Sequence, residues 1–458
     1  MAKYDAIVIG SGQAGNPLSQ DLADIEWNVA MIERDQLGGT CINTGCTPTK
    51  TMIASSQVAH YVSNSGKWGV HTGGMRVDIA EVVARKNRNV NDWRAGQESK
   101  FRDRDKHIRL YRGDGRFTAP HKIDVNGEEL ESDRIFIDTG TRPIVPSIPG
   151  LEEIDYLTNA SIMELREIPE HLLILGAGYV GLEFAQMFRR FGSAVTVIDL
   201  GDQILPHEDS DVSDAMRKIL EAEEISFVLS ARAKRVARSE GQVTLDLEVG
   251  GRGNSVRGSH LLVAVGRRPN TDDLGIEKAG IEIDSHGYIR VNERLETSVP
   301  GIWALGDVKG GPAFTHISYN DYQVVFGNLV QHKNLSIKDR LVPYAVFTDP
   351  ELGRIGMTEK EARASERRLK IGKIPMEWVA RAIERDETGG LMKIIVDAEN
   401  DKILGAAILS TDGGELVQIF MPVMMAGLPY TLLKGAVYIH PTLAEGFWTL
   451  MEEVKVSE

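Results

Sequence analysis

The sequence is poor in cysteine: Cys41 and Cys46 are the only two among its 458 residues. So few thiols exclude a disulfide-stapled secreted scaffold. A structural bridge between these two would close a very short loop and remove little entropy from the unfolded chain. A zinc site would need further ligands, usually a second pair at a similar spacing, and the sequence has none. The remaining interpretation is a thiol pair that opens and closes during a reaction.

Basic charge and long apolar runs are also scarce. The 52 Lys and Arg residues are outnumbered by 66 Asp and Glu residues, which leaves a formal net charge of −14. This balance argues against nucleic acid or an anionic membrane surface as the main partner. No apolar run is long enough to span a bilayer, and the N-terminal MAKYDAIVIG lacks the features of a secretory signal. We therefore expect a cytoplasmic protein whose thiol pair cycles between its two states.

Glycine, in contrast, is plentiful and occurs in a repeated unit. YDAIVIGSGQAG (4–15) and HLLILGAGYVG (171–181) each place an apolar strand before a GxGxxG turn and a helical pattern after it. A second strand follows in each unit and ends in an acid, Glu33 or Asp199, at the same distance from the first glycine. Two complete copies of this pattern predict two Rossmann-type dinucleotide sites.

Each glycine motif is suited to a pyrophosphate group. The glycines allow a tight turn and close backbone approach, and the helix that follows offers free N–H groups at its positive end. The acid at the end of the second strand can accept hydrogen bonds from ribose hydroxyls. Asp199 is followed by Leu-Gly-Asp-Gln, without a basic side chain for a 2′-phosphate. The second site is therefore predicted to prefer NAD(H) over NADP(H).

The C-terminal quarter has a different pattern. From about Pro343, strands are predicted in VPYAVFTD, GLMKIIVD and ILGAAILS, with helices after Gly413 and Thr442. The predicted fold class is α/β, with two Rossmann-type domains and a C-terminal α+β dimerisation domain. The expected boundaries are 1–147 and 148–270 for the dinucleotide domains, 271–340 for a central segment that completes the first site, and 341–458 for the C-terminal domain.

Seven motifs in order give the chain a family resemblance. They are GSGQAG with Glu33, GGTCINTGCTPTK (38–50), DTGTRP (138–143), GAGYVGLE (176–183), VGRRPNT (265–271), GIWALGD (301–307) and HPTLAE (440–445). With them the chain resembles the flavin-dependent pyridine nucleotide–disulfide oxidoreductases, which include dihydrolipoyl dehydrogenase, glutathione reductase and mercuric reductase. The resemblance covers essentially the whole chain. It implies tightly bound FAD in the first domain, and a homodimer whose active sites are shared between subunits.

The resemblance also implies roles for individual residues. Cys46 would lie against the flavin as a charge-transfer thiolate, and Cys41 would be the outer thiol that meets the substrate. Lys50 would pair with Glu183 near the flavin, and His440, held by Glu445, would act as proton carrier from the partner subunit. No metal site is implied. The residues implied to bind the cofactors are Gly10, Gly12, Gly15, Glu33, Thr40, Lys50, Thr139, Gly140, Asp307, Gly176, Gly178, Tyr179, Gly181, Asp199 and Gly266.

Three functions remain open from the sequence. The segments GGPAFTHISYNDYQVV (310–325) and FTDPELGRIGMTE (347–359) resemble the mercuric-reductase-like branch, although the C-terminal EEVKVSE lacks the cysteines of mercuric reductases. This favours NADH-dependent reduction of a small oxidant, metal ion or disulfide at Cys41. A dihydrolipoyl dehydrogenase with a lipoyl domain as partner is an alternative, although Tyr438 stands where those enzymes commonly carry a second histidine. The third is a thiol protein that binds metal or senses redox state without turnover.

Overall fold

A computed structural model describes residues 2–457 of the chain. It confirms the predicted α/β class, because two domains are built on parallel sheets with helices and a C-terminal domain is built on an antiparallel sheet. The short apolar runs of the sequence form the buried strands of these sheets.

The first domain contains a five-stranded parallel sheet. Its strands are buried runs such as AIVI at Ala6–Ile9, as expected for a parallel sheet that is covered on both faces. In spatial order the strands are Ile302–Ala304, Ile135–Ile137, Ala6–Ile9, Val29–Glu33 and Ile108–Arg112. The segment 271–340 thus returns to the first domain and supplies the edge strand of its sheet.

A smaller sheet and five helices complete this domain. The sheet contains Ala2–Lys3, Glu128–Glu131, Lys122–Val125 and Gly115–Ala119. The helices are Gly15–Asp24, Gly39–Asn43, Cys46–Asn64, Ile79–Arg102 and Thr315–Leu329. Three of the five begin at or beside predicted site residues, so helix starts position much of the site.

The second domain contains a four-stranded parallel sheet with the order Ile225–Val228, Ala194–Ile198, His171–Leu175 and His260–Val263. Its helices are Tyr179–Phe191 and Ser210–Ala222, and an antiparallel sheet is formed by Ala231–Ser239, Gln242–Val249 and Arg252–Gly258. The strand pair Thr141–Pro143 and Arg267–Pro269 joins the two dinucleotide domains.

The C-terminal domain contains a six-stranded sheet. Its spatial order is Tyr344–Val346, Glu351–Gly356, Ile403–Ser410, Leu391–Asp397, Leu369–Pro375 and Lys455–Val456. Its helices are Glu359–Ala364, Ala380–Glu384, Gly413–Leu416, Phe420–Met425, Thr431–Lys434 and Gly446–Glu452. The remaining elements of the chain are a short α-helix, Ile276–Ala279, and the 3-10 turns Ser65–Trp68, Leu151–Glu153, Ser161–Glu164, Gly306–Lys309, Met376–Trp378 and Val417–Ile419.

One hydrophobic cluster crosses all three domains. Met52 of the helix Cys46–Asn64 belongs to the same buried cluster as Phe184 and Phe188 of the helix Tyr179–Phe191, and the cluster continues to Val346 in the C-terminal sheet. Burial of apolar side chains from several domains fixes the domains against one another. The helix that starts at Cys46 is therefore held between the second dinucleotide domain and the C-terminal domain.

Candidate active site

The two cysteines are brought to the first dinucleotide motif by the glycine pair that precedes them. Gly38 and Gly39 have φ values of 100° and 59°, in the left-handed region that favours glycine. A Cβ atom on Gly39 would lie 2.8 Å from the Cα of Gly12. Only a chain without side chains at this point can approach the turn so closely, so the glycines place Cys41 and Cys46 beside the turn.

The two thiols differ in their environment. Both are free and they hydrogen-bond each other, and the Cys46 Sγ also lies 3.4 Å from the Thr315 Oγ1. The hydrogen bond from Cys41, together with Thr315 and the charge of Lys50, lowers the pKa of Cys46 to about 6. The same bond and burial raise the pKa of Cys41. The environment therefore favours the thiolate form of Cys46 and disfavours that of Cys41.

Lys50 is held in place by a buried carboxylate. Its Nζ lies 2.7 Å from the Oε2 of Glu183, whose side chain is only 3% exposed. The other oxygen of Glu183 accepts a hydrogen bond of 3.0 Å from the backbone N–H of Phe347, and the Lys50 ammonium lies 4.6 Å from the centre of the Phe347 ring. The charge that acts on Cys46 is therefore fixed by contacts from the second and C-terminal domains.

A cavity of about 2060 Å³ runs over the thiols and the first glycine motif. Predicted site residues that line it are Gly10, Gly12, Glu33, Thr40, Cys41, Cys46, Lys50, Thr139, Gly140, Tyr179, Glu183 and Asp307. Within residues 2–457, the predicted residues outside its lining are Gly15, Gly176, Gly178, Gly181, Asp199, Gly266, His440 and Glu445. The structure thus gathers most residues predicted for the first cofactor, the two thiols, and Tyr179 and Glu183 of the second motif. The glycines of the second motif, Asp199 and the histidine pair lie outside this lining.

The first glycine turn presents bare backbone to this cavity. A Cβ atom on Gly10 would collide with the carbonyl oxygen of Asp138, and one on Gly15 would collide with the carbonyl oxygen of Gly10. The turn leads into the helix Gly15–Asp24, whose first two N–H groups are bonded within the protein, that of Gly15 to Asp138 and that of Asn16 to the Gly12 carbonyl. These contacts explain the glycines and fit a dinucleotide that lies on the turn.

Asp138 is a residue of this site that the sequence reasoning missed. Its Oδ2 accepts a hydrogen bond of 2.7 Å from the Gly15 N–H and one of 3.3 Å from the Ala14 N–H. Complete burial raises the pKa of this carboxyl group. Asp138 belongs to the quoted motif DTGTRP, but its contact with the helix exists only because the strand Ile135–Ile137 ends beneath that helix.

The two acids predicted for the first cofactor lie at different points along the cavity. Glu33 accepts hydrogen bonds from Ser11 through both its N–H, at 2.9 Å, and its hydroxyl, at 2.7 Å. Asp307 accepts a hydrogen bond of 3.0 Å from the Thr141 hydroxyl, and burial raises its pKa. Polar groups spaced along a long cavity, with a helix start between them, fit the extended shape of FAD.

The second glycine turn is built in the same way but is open. A Cβ atom on Gly176 would collide with the Ala264 carbonyl oxygen, whereas one on Gly178 would meet nothing within 4 Å. The Asp199 carboxylate accepts hydrogen bonds of 2.7 Å each from the N–H groups of Ala177 and Gly201. The turn and its acid therefore fit a pyrophosphate and a ribose. The third glycine, Gly181, packs on the Gly176 carbonyl, and Gly266 lies at the domain junction with φ of 121°.

An aromatic group missed by the sequence reasoning forms one wall of the cavity. Phe314 stacks on His316, with ring centres 5.5 Å apart, and on Tyr344, with ring centres 5.3 Å apart. Tyr179 lies 6.3 Å from Phe314. The His316 Nε2 lies 2.7 Å from the carbonyl oxygen of Pro343, and burial lowers the pKa of this imidazole. Phe314 and His316 lie in the segment GGPAFTHISYNDYQVV, but their contacts with Tyr344 and Pro343 depend on the tertiary structure.

His440 and Glu445 form the predicted pair away from the thiols. The His440 Nδ1 lies 2.8 Å from the Glu445 Oε2, and the histidine side chain is 72% exposed. Val437 and Ile439 beside it are 94% and 78% exposed. The structure therefore assembles the histidine–carboxylate pair on an exposed apolar face, not in the cavity of the same chain.

Residues 2–457 contain neither a metal-binding cluster nor a membrane-spanning helix. No group of three or more His, Cys, Asp or Glu side chains in this part of the chain is arranged to hold a metal ion. Nor does any helix in it combine the length and apolar character needed to cross a membrane.

Comparisons with known proteins agree with the geometry. Residues 4–321 match the model of the pyridine nucleotide-disulphide oxidoreductases, and residues 342–451 match the dimerisation domain of the same family. The probable pyridine nucleotide-disulfide oxidoreductase RclA of Escherichia coli K12 is 38% identical over 99% of this chain and its own full length. A mercuric reductase of Bacillus cereus is 33% identical over 97% of this chain and 70% of its own.

Further relatives support the same assignment. A dihydrolipoyl dehydrogenase of Thermus scotoductus is 34% identical over 99% of this chain and 97% of its own. The solved structure of the HOCl-induced flavoprotein disulfide reductase RclA from Escherichia coli superposes with a TM-score of 0.90 at 37% identity, covering 99% of this chain and 100% of that one. The chain therefore belongs to the pyridine nucleotide-disulphide oxidoreductases, the flavin-dependent enzyme family that its motifs predicted.

Proposed function

We propose that this enzyme passes electrons from NADH, by way of FAD in the first domain, to the Cys41–Cys46 pair and from there to a small disulfide or oxidant. The observation that carries the proposal is the pair of hydrogen-bonded thiols in the cavity of the first glycine motif. Bound FAD would supply two-electron transfer between the nicotinamide and the cysteine pair. NADH is the preferred donor because Asp199, which can accept from ribose hydroxyls, has no basic neighbour for a 2′-phosphate.

The two thiols divide the exchange chemistry between them. The Cys41 thiolate attacks one sulfur of a disulfide substrate, a Cys41–substrate bond forms, and the other substrate sulfur leaves and takes a proton. Cys46 then attacks the Cys41 sulfur, which restores the Cys41–Cys46 bond and releases the second substrate thiol. Two electrons pass from the dithiol to the substrate. The lowered pKa of Cys46 keeps it ready for the second step.

Cys41 needs a proton acceptor, because its pKa is raised in the single chain. His316 lines the same cavity, but its Nε2 is engaged by the Pro343 carbonyl. We assign the role to His440 of a second copy, whose Nδ1 faces Glu445 and whose Nε2 is left to exchange the proton. The exposed face around His440 and the match to a dimerisation domain support a homodimer with shared active sites.

We propose that the substrate is a small oxidant or a low-molecular-weight disulfide in the cytoplasm. The RclA structure, named as an HOCl-induced flavoprotein disulfide reductase, matches 99% of this chain and 100% of its own. Tyr438, at the position that raises doubt about a dihydrolipoyl dehydrogenase, donates to the Leu433 carbonyl and packs against Phe447 and Trp448. This residue therefore has a packing role.

The proposal is tested by anaerobic NADH oxidation on purified flavoprotein with several acceptors in parallel. Hypothiocyanite or a low-molecular-weight disulfide should be turned over much faster than lipoamide. Fast turnover of lipoamide would instead identify a dihydrolipoyl dehydrogenase. Stoichiometric uptake of a soft metal without NADH oxidation would identify a non-turnover thiol protein.

The shared active site is tested separately by mixing two inactive variants. Chains with Cys46→Ser and chains with His440→Ala are co-expressed, so that half of the dimers pair one of each. If the histidine serves the partner's thiols, each mixed dimer has one intact site and activity recovers to about a quarter of the unmodified enzyme. If the histidine serves its own chain, every site carries a defect and the mixture stays inactive.

A further inference from the structure

Tyr344 is anchored by a buried ion pair between domains. Tyr344 and Arg354 are cross-strand partners in the C-terminal sheet, and both contact Glu208 of the second domain. The Tyr344 hydroxyl donates to one carboxylate oxygen, and the Arg354 Nε donates to the other at 3.0 Å. Arg354 is 1% exposed, so its pairing with Glu208 is essential in this setting. The Tyr344 ring is consequently fixed in position.

The same tyrosine holds the segment that contacts the thiol. Its ring lies within 12° of parallel to the Phe314 ring, and the neighbouring Pro343 carbonyl binds the His316 imidazole. Phe314 and His316 are thus both tied to residues 343–344. Between them stands Thr315, the first residue of the helix Thr315–Leu329, whose hydroxyl lies 3.4 Å from the Cys46 Sγ.

We infer that Tyr344 is a positioning residue that holds the Thr315 hydroxyl against the Cys46 sulfur. The physical reason is that a hydrogen bond to sulfur depends on distance and direction, so the helix start that carries the Thr315 hydroxyl requires restraint. The stack and the Glu208 anchor supply that restraint. A charge-assisted hydrogen bond stabilises a thiolate more than a thiol. The inference rests on the proposed function, because it concerns Cys46 as a thiolate beside FAD.

The chain offers a clean background for the test, since Cys41→Ser leaves Cys46 as the only cysteine. In the purified FAD-loaded Cys41→Ser protein, no disulfide can form, and a Cys46 thiolate should give a long-wavelength absorption with the oxidised flavin. The pH at which this band reaches half of its maximum reports the ionisation of Cys46 without any turnover. Variants are then compared in this background.

We expect Thr315→Val to reduce the thiolate-to-thiol ratio about tenfold and so to raise the pH midpoint by about one pH unit. Thr315→Ser keeps the hydroxyl, so its pH midpoint should stay close to that of the Cys41→Ser protein. Tyr344→Leu, which removes both stack and anchor, should shift the midpoint in the same direction by a similar amount. Tyr344→Phe keeps the ring and loses only the bond to Glu208, so we expect a smaller shift.

The matched control is Tyr111→Phe, because the Tyr111 hydroxyl also donates to a glutamate, Glu128, at 3.0 Å but lies outside the cavity lining. It should leave the midpoint unchanged. Unchanged midpoints in both Tyr344 variants, at normal FAD content, would overturn the inference while leaving the proposed function intact. Absence of the band in the Cys41→Ser protein at every pH would instead contradict the placement of Cys46 beside the flavin.

Discussion

The two glycine turns of this protein share their backbone packing and differ in what surrounds them. In each, the first glycine packs on the carbonyl at the end of a neighbouring strand, that of Asp138 or of Ala264. In each, the third glycine packs on the carbonyl of the first. Both positions are therefore closed to any side chain. The repeated motif encodes the same strand–turn–helix geometry in both domains.

The middle glycine shows the difference. A Cβ atom on Gly12 would lie 2.6 Å from the Asp138 carboxylate, and Gly39 of the thiol segment covers the same turn, whereas Gly178 faces open space. The first turn is thus covered at its middle glycine, whereas the middle glycine of the second turn is uncovered. A covered turn suits a resident FAD and an open one suits a nucleotide that must exchange at each turnover, which agrees with the proposed placement of the two cofactors.

The largest effect is expected at Cys46, because we place the exchange chemistry at the thiols of the first domain. Cys46→Ser should reduce NADH-dependent disulfide reduction at least a thousandfold, because the second exchange step loses its nucleophile. FAD content and NADH binding should be unchanged, since neither glycine turn is altered. Steady-state turnover, flavin absorbance and NADH titration measure the three quantities. Retained turnover would remove Cys46 from its assigned role.

The next prediction uses the two middle glycines as a matched pair. Gly12→Ala should cost about 1–3 kcal/mol of stability and lower FAD content, because the new methyl group collides with the buried Asp138 carboxylate. Gly178→Ala should leave thermal stability and FAD content unchanged and raise only the KM for NADH. Thermal unfolding and flavin content after purification distinguish them. Equal FAD loss in both variants would contradict the contrast between a covered and an open turn.

A smaller effect is expected at the acid of the second turn. Asp199→Ala should raise the KM for NADH about tenfold, because hydrogen bonds to the ribose are lost, and should change the KM for NADPH much less. Asp202→Ala is the control, since it removes the same charge from an exposed position nearby. An unchanged ratio of the two KM values would show that Asp199 does not bind the ribose hydroxyls.

The smallest effect is a pH dependence at the thiols beside the first turn. The pKa of Cys46 is lowered to about 6, so the thiolate is present above that pH and is lost as the pH falls through it. The long-wavelength band of the reduced enzyme should fall to about half its maximum near pH 6. Reversible absorbance titration measures it, and a midpoint near the ordinary value for a thiol would contradict the lowered pKa.

Much of the site was predictable because the relevant residues lie within short motifs. The Lys50–Glu183 ion pair and the His440–Glu445 contact were both expected, and the structure contains both. Asp138, Thr315 and Tyr344 were not identified. Their contacts join residues far apart in the sequence, so no local spacing pattern indicates them.

By itself, the sequence determined the two dinucleotide motifs, the close spacing of the two cysteines and the family, because each depends on residue types at short, fixed spacings that backbone geometry dictates. Only the tertiary structure decided that Gly39 covers the first turn, that Asp138 bonds the start of the first helix, and that Tyr344 and Thr315 are placed beside the thiols. These properties depend on burial and on contacts between domains. They arise when distant segments pack together and exclude water, and no short stretch of sequence carries that information.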